Sequence, residues 1–71
     1  MKKYEEKFIE NLTQLLEEKK MSGKDLAESI GMSPVTIYRF LNSHSYPDLD
    51  AIIKIGDYFH VSIDWMIGRS L

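Results

Sequence analysis

Two helix-start signals stand close together in the middle of the chain, with almost no connecting residues between them. Ser22 offers a capping hydroxyl, and Asp25 at the third helical position makes a short variant of the capping box. Leu26, Ala27 and Ile30 then form one apolar face. Gly31 follows at the position just past the helix, where a left-handed residue without a Cβ penalty ends it. Only Met32 separates that glycine from Ser33-Pro34, a second capping hydroxyl followed by a proline suited to the first helical position. Two helices joined so tightly cannot lie antiparallel. They must cross steeply, as a helix-turn-helix spanning about residues 22–43. Such a crossing needs a small residue where the helices meet, a turn glycine, and apolar residues that hold the second helix down. Ala27, Gly31, Ile37 and Phe40 supply these in order, and Leu26 and Ile30 complete the core face.

The flanking sequence predicts three more helices. Tyr4, Phe8, Leu12, Leu15 and Leu16 recur at helical spacing among glutamates, giving an amphipathic helix from about residue 3 to 19 that ends in Lys19-Lys20. In the third helix Ile37, Phe40 and Leu41 share one face, while Pro34, Val35, Tyr38, Arg39 and Asn42 fall on another. It should end around Asn42-Ser43, before a loop of His44, Ser45, Tyr46 and Pro47. Asp48 caps a fourth helix running to about Phe59, with Leu49, Ile52, Ile53, Ile55, Gly56 and Phe59 on one broad face. Gly56 lies near its centre, where another backbone can approach closely. His60 should end this helix in a left-handed conformation. Ser62 caps a last short turn carrying Ile63, Trp65, Met66 and Ile67, stopped by Gly68. Period-2 alternation is absent over any useful length. The expected fold is all-α, a compact five-helix domain spanning residues 1–71.

Composition removes most other function classes. The 71 residues are 44% hydrophobic and 28% charged, a globular balance, and contain no cysteine. Disulfides, thiolate zinc sites and cysteine nucleophiles are excluded. His44 and His60 alone make no metal site, no spacing suggests a catalytic triad, and neither an enzyme nor a cofactor is expected. No apolar run approaches the roughly 20 residues of a membrane helix, and the charged start Met1 to Glu6 leads into no signal-peptide core. A soluble cytoplasmic chain is expected. At this size one core rarely supplies more than about 3–5 kcal/mol, so efficient packing or a partner is needed.

The sequence resembles the bacterial and phage Cro/repressor-type helix-turn-helix domains, the Xre family, over about Phe8 to Gly68. The resemblance rests on Asp25-Leu26-Ala27-Glu28, on Ile30-Gly31-Met32-Ser33, on Pro47 followed by Leu49, and on the closing stretch from Tyr58 to Arg69. It implies a lambda-repressor-like domain whose third helix enters the major groove of DNA. Such regulators usually bind operators as dimers. Three positions depart from the family pattern. Many members carry a phosphate-contacting glutamine just after the cap of the second helix. Gly23 stands there, which leaves the contact to backbone N–H groups or to Lys24. A frequent arginine–glutamate pair between the first and third helices is replaced by Leu16 and Leu41. Losing both partners together avoids a buried unpaired charge. A glycine that often ends the third helix is here Ser43.

Charge placement matters more than the net charge of −2. Between Ser29 and Pro47 there is no Asp or Glu, and Arg39 and His44 lie in that stretch. Arg39 suits a bidentate contact to guanine O6 and N7. Val35 and Pro34 can meet a thymine methyl, although Pro34 also simply starts the helix. Tyr38 either contacts DNA or folds over the core edge. Thr36 can reach phosphate, Ser33 is read as a cap with a second role at phosphate, and Asn42, Ser43 and His44 are backbone-contact candidates with Lys24.

The reading that follows is a sequence-specific regulator, a repressor that occupies an operator on double-stranded DNA as a homodimer without any cofactor. With no ligand domain expected, control would come from concentration, proteolysis or a partner protein. The expected dimer surface is Trp65, Met66, Ile67 and Leu71. If Trp65 turns inward, Met66 and Leu71 are the exposed contacts. The rival is a protein-interaction module of the same fold, an antitoxin or antirepressor, acting through that same apolar C-terminal surface.

Overall fold

The computed structural model describes residues 3–69. Five helices follow in order: α1 Lys3–Lys19, α2 Gly23–Ile30, α3 Pro34–Leu41, α4 Leu49–Phe59 and α5 Ile63–Met66. No strand occurs among the described residues. The all-α expectation and all five helices are present, each within a residue or two of the caps that predict it. α2 packs most closely on α3; α1 packs on α3 and α5, and α4 on α2 and α5.

Every helix sends at least one fully buried apolar side chain to a common centre: Phe8 and Leu12 from α1, Leu26, Ile37, Ile55 and Met66 from the others. Each stabilises the fold by about 1.5–3 kcal/mol relative to exposure. Around them Ile9, Leu15, Leu16, Ala27, Phe40 and Ala51 close the core. Several expectations need correction here. Met66 is 0% exposed, because the single turn of α5 aims it inward, so it is core and not a surface contact. Leu49 and Ile53 lie off the buried face of α4. Ala51 and Ile55 form the core stripe instead, and Leu49, in the first turn, is 65% exposed. Tyr4 likewise sits at the open start of α1 and is exposed.

The helices end alike. After α1, Met21 N–H donates to Leu16 O and Lys20 N–H to Glu17 O. His44 and Ser43, Val61 and His60, and Arg69 and Gly68 repeat that pair of bonds after α3, α4 and α5. Such paired bonds satisfy the orphan carbonyls of a last turn and require a left-handed residue at the pivot. The pivots are Lys20 (φ 55°), Ser43 (φ 60°), His60 (φ 58°) and Gly68 (φ 82°). α2 closes on a variant in which Gly31 and Met32 both donate to Ala27 O. His60 is left-handed as its position predicts. Ser43 takes the same conformation a glycine would, so α3 is not extended by the missing glycine.

One buried polar side chain was not foreseen. Asn11, 7% exposed, donates from Nδ2 to the carbonyls of Trp65 and Met66, both at 3.0 Å. It ties the end of α5 to the middle of α1.

Candidate nucleic-acid interface

The α2–α3 pair is set by its caps. Ser22 Oγ accepts from Asp25 N–H at 3.0 Å while an Asp25 carboxylate oxygen accepts from Ser22 N–H at 3.1 Å, the reciprocal box the sequence predicts. Ala27 is fully buried, and Gly31 turns the chain with φ 72°. A Cβ on Gly31 would meet nothing within 4 Å, so its glycine answers to backbone conformation and not to space.

Ser33 occupies the cap position of α3, but its hydroxyl accepts no bond from the helix. This corrects the expectation of a capping hydroxyl. Pro34 at the start of the helix already fixes the entry dihedral, and Ser33 O accepts from Ile37 N–H to close the first turn. The exposed Ser33 side chain and the backbone N–H groups of Val35 and Thr36 are left at an open helix start.

Most of the predicted contact residues are exposed. Val35 is 64% exposed and Tyr38 43%, with Arg39 and Asn42 also exposed along α3, whereas Pro34 and Thr36 are half-buried. Asn42 donates from Nδ2 to Tyr38 O at 2.9 Å, which commits part of its side chain to its own helix. Ser43 and His44 continue the exposed path, and Lys24 is exposed on the first turn of α2. Among the described residues one ion pair occurs, Lys7 with Glu10 on α1, so neither Arg39 nor Lys24 is neutralised by a carboxylate. Ile37 and Phe40, on the opposite side of α3, are buried. α3 is thus held by one face and presents the other, free of acidic side chains.

Sequence reasoning missed how Gly23 and Tyr38 meet. Gly23 is buried, and an added Cβ there would lie 3.1 Å from Tyr38 Cε1. The ring therefore leans on the start of α2 while staying partly in solvent, which is the structural alternative for Tyr38. On the C-terminal side Trp65 and Ile67 are half-buried, Ile63 is 36% exposed, and Leu71 lies outside the described residues.

Two short helices crossing through a glycine turn, with the second bare on its outer face, define a helix-turn-helix domain. The chain belongs to the Cro/C1-type helix-turn-helix family, whose sequence pattern matches residues 12–66. It is similar to a transcriptional regulator from Listeria innocua of known crystal structure, at 30% identity and a TM-score of 0.79 over 90% of this chain. The match takes in 60% of that regulator, so this chain spans less than two thirds of its length. No curated protein matches the sequence.

Proposed function

We propose that this chain is a transcription regulator that binds double-stranded DNA through the major groove with α3 and represses by occupying its operator. The observation that carries the reading is the outer face of α3: exposed Val35, Tyr38 and Arg39 on a rigidly packed helix, with no carboxylate beside Arg39. Arg39 is assigned to base readout and Val35 to a thymine methyl. Ser33, Thr36, Ser43, His44 and Lys24 are assigned to the phosphate backbone, and Pro34 and Asn42 support the two ends of the helix. Site of action would be the bacterial cytoplasm or nucleoid.

One such domain offers few contacts, so a homodimer on a near-palindromic site is proposed, with recognition helices roughly 34–36 Å apart. Its surface is assigned to Ile63 and Trp65 of α5 and to Ile67 just after it; burial of Met66 narrows this patch and favours a dimer strengthened by DNA. The same narrowing weakens the rival interaction-module reading. Selection of bound duplexes from a randomised library tests the main proposal, followed by sedimentation with and without the selected palindrome. Recovery of a consensus and a two-to-one complex is expected. Binding that yields no consensus, or none that salt weakens, refutes sequence-specific regulation, and a strict one-to-one complex on a full palindrome refutes the dimer.

A further inference from the structure

Gly23 opens α2 with ordinary helical backbone: the left-handed glycines are Gly31 and Gly68. Only proline is a poorer helix former than glycine, so the backbone supplies no reason for it here. Its surroundings do. A Cβ at this position would lie 3.1 Å from Tyr38 Cε1, 3.2 Å from Ile37 Cγ2 and 3.3 Å from Leu41 Cδ1. Ile37 is fully buried, while the Tyr38 ring, the nearest of the three, and the half-buried Leu41 can each give by a few tenths of an ångström. The missing side chain is therefore the seat of that ring. Tyr38 takes part in one side-chain hydrogen bond, through its backbone carbonyl to Asn42, and its hydroxyl bonds to no described residue.

When a helix-turn-helix docks, its second helix enters the groove while its first crosses the phosphate backbone. A ring seated between α3 and the first turn of α2 then faces phosphate and not a base edge. We propose that Tyr38 donates its hydroxyl to a phosphate oxygen of double-stranded DNA, and that Gly23 is the positioning residue that holds the ring there. This rests on the DNA-binding reading above. A neutral O–H donor to phosphate carries no sequence information and releases no counterion. Its loss must weaken all duplexes alike without changing the salt slope.

The test measures affinity for a library-selected duplex and for a random duplex across a salt series. Tyr38→Phe keeps the ring and should lose about tenfold on both duplexes at constant slope. Gly23→Ala pushes the ring by a few tenths of an ångström and should weaken both duplexes alike by a smaller factor, with circular dichroism unchanged. The double variant Gly23→Ala/Tyr38→Phe should bind no more weakly than Tyr38→Phe alone. Additive losses, a Tyr38→Phe effect confined to the selected duplex, or no effect of either substitution would overturn the proposal. If Gly23→Ala fails to fold, Gly23→Ala/Tyr38→Ala decides. Clearing the ring should restore folding, and continued failure would show that the ring is not what Gly23 accommodates. A wild-type chain that retains neither duplex overturns the DNA-binding reading itself, and this proposal with it; the variant outcomes above overturn this proposal alone.

Discussion

Replacing Asn11 should unfasten α5 from the rest of the domain. α5 is a single turn, Ile63–Met66, too short to hold itself together. Trp65 O already accepts from Gly68 N–H at 3.1 Å, but the Asn11 amide is what reaches Met66 O within the buried interior. Asn11→Ala removes two hydrogen bonds worth about 1 kcal/mol each and strands a carbonyl at a further ~1–3 kcal/mol. A loss of about 3–5 kcal/mol follows, as large as the whole ~3–5 kcal/mol that so small a core supplies. Asn11→Asp should be worse at neutral pH. Its carboxylate has no proton to donate and faces two carbonyl oxygens, which adds an unpaired buried charge.

The sign of the pH response separates the two variants. An aspartate held against acceptors has its folded pKa raised above the ordinary value of about 3.9. Protonation supplies the missing donor. Asn11→Asp should therefore be most stable below about pH 4 and lose stability as pH rises through its folded pKa, relative to wild type measured at each pH. Trp65 is the sole tryptophan, and its own carbonyl is one of the two acceptors, so its fluorescence during urea unfolding reports the site directly. An Asn11→Ala cost under ~0.5 kcal/mol, or an Asn11→Asp stability that tracks wild type with pH, would refute the reasoning.

Other substitutions test the helix ends, the DNA-facing residues and the core. Lys20→Gly, Ser43→Gly and His60→Gly should each stabilise by about 0.5–1 kcal/mol in urea unfolding, since each relieves a left-handed side-chain residue, whereas Gly31→Ala should cost about 1 kcal/mol or more. Arg39→Ala should cost about 1–3 kcal/mol on a selected duplex and relax one base position, while Lys24→Ala should weaken all duplexes alike and flatten the salt slope by about one unit; equal Arg39→Ala losses on random DNA would remove it from base readout. Leu41→Glu places a carboxylate beside buried Ile37 and Gly23 and should be severely destabilising. If Leu16 is its neighbour across α1 and α3, Leu16→Arg should recover much of the loss, and a double-mutant cycle without coupling would separate them.

What was legible in the sequence was local. Ser22 with Asp25, Pro34, Asp48 and Ser62 each mark a helix start within the few residues that form it, so reading neighbours suffices. The outer face of α3 was legible for the same reason: helical period separates Val35, Tyr38 and Arg39 from Ile37 and Phe40 before any partner is known. Ser33 marks where local reasoning reaches its limit, because Pro34 alone satisfies the geometry that the hydroxyl was expected to supply.

What stayed hidden depends on the rotation of one helix against another, which no cap encodes. Leu49 and Ile53 belong to an apolar arc of α4 wider than the stripe its neighbours cover, so which edge remains wet is settled by α2 and α5. Met66 looks like surplus apolar surface on a short turn until α1 lies across it and Asn11 fixes the depth of that turn. Gly23 and Tyr38 illustrate the same point at the site itself. Gly23 reads as an absent side chain in α2, and Tyr38 reads as an ambiguous aromatic in α3. Only the packing of α2 on α3 across the Gly31 turn brings the vacancy under the ring, and there two weak local signals become one specific arrangement.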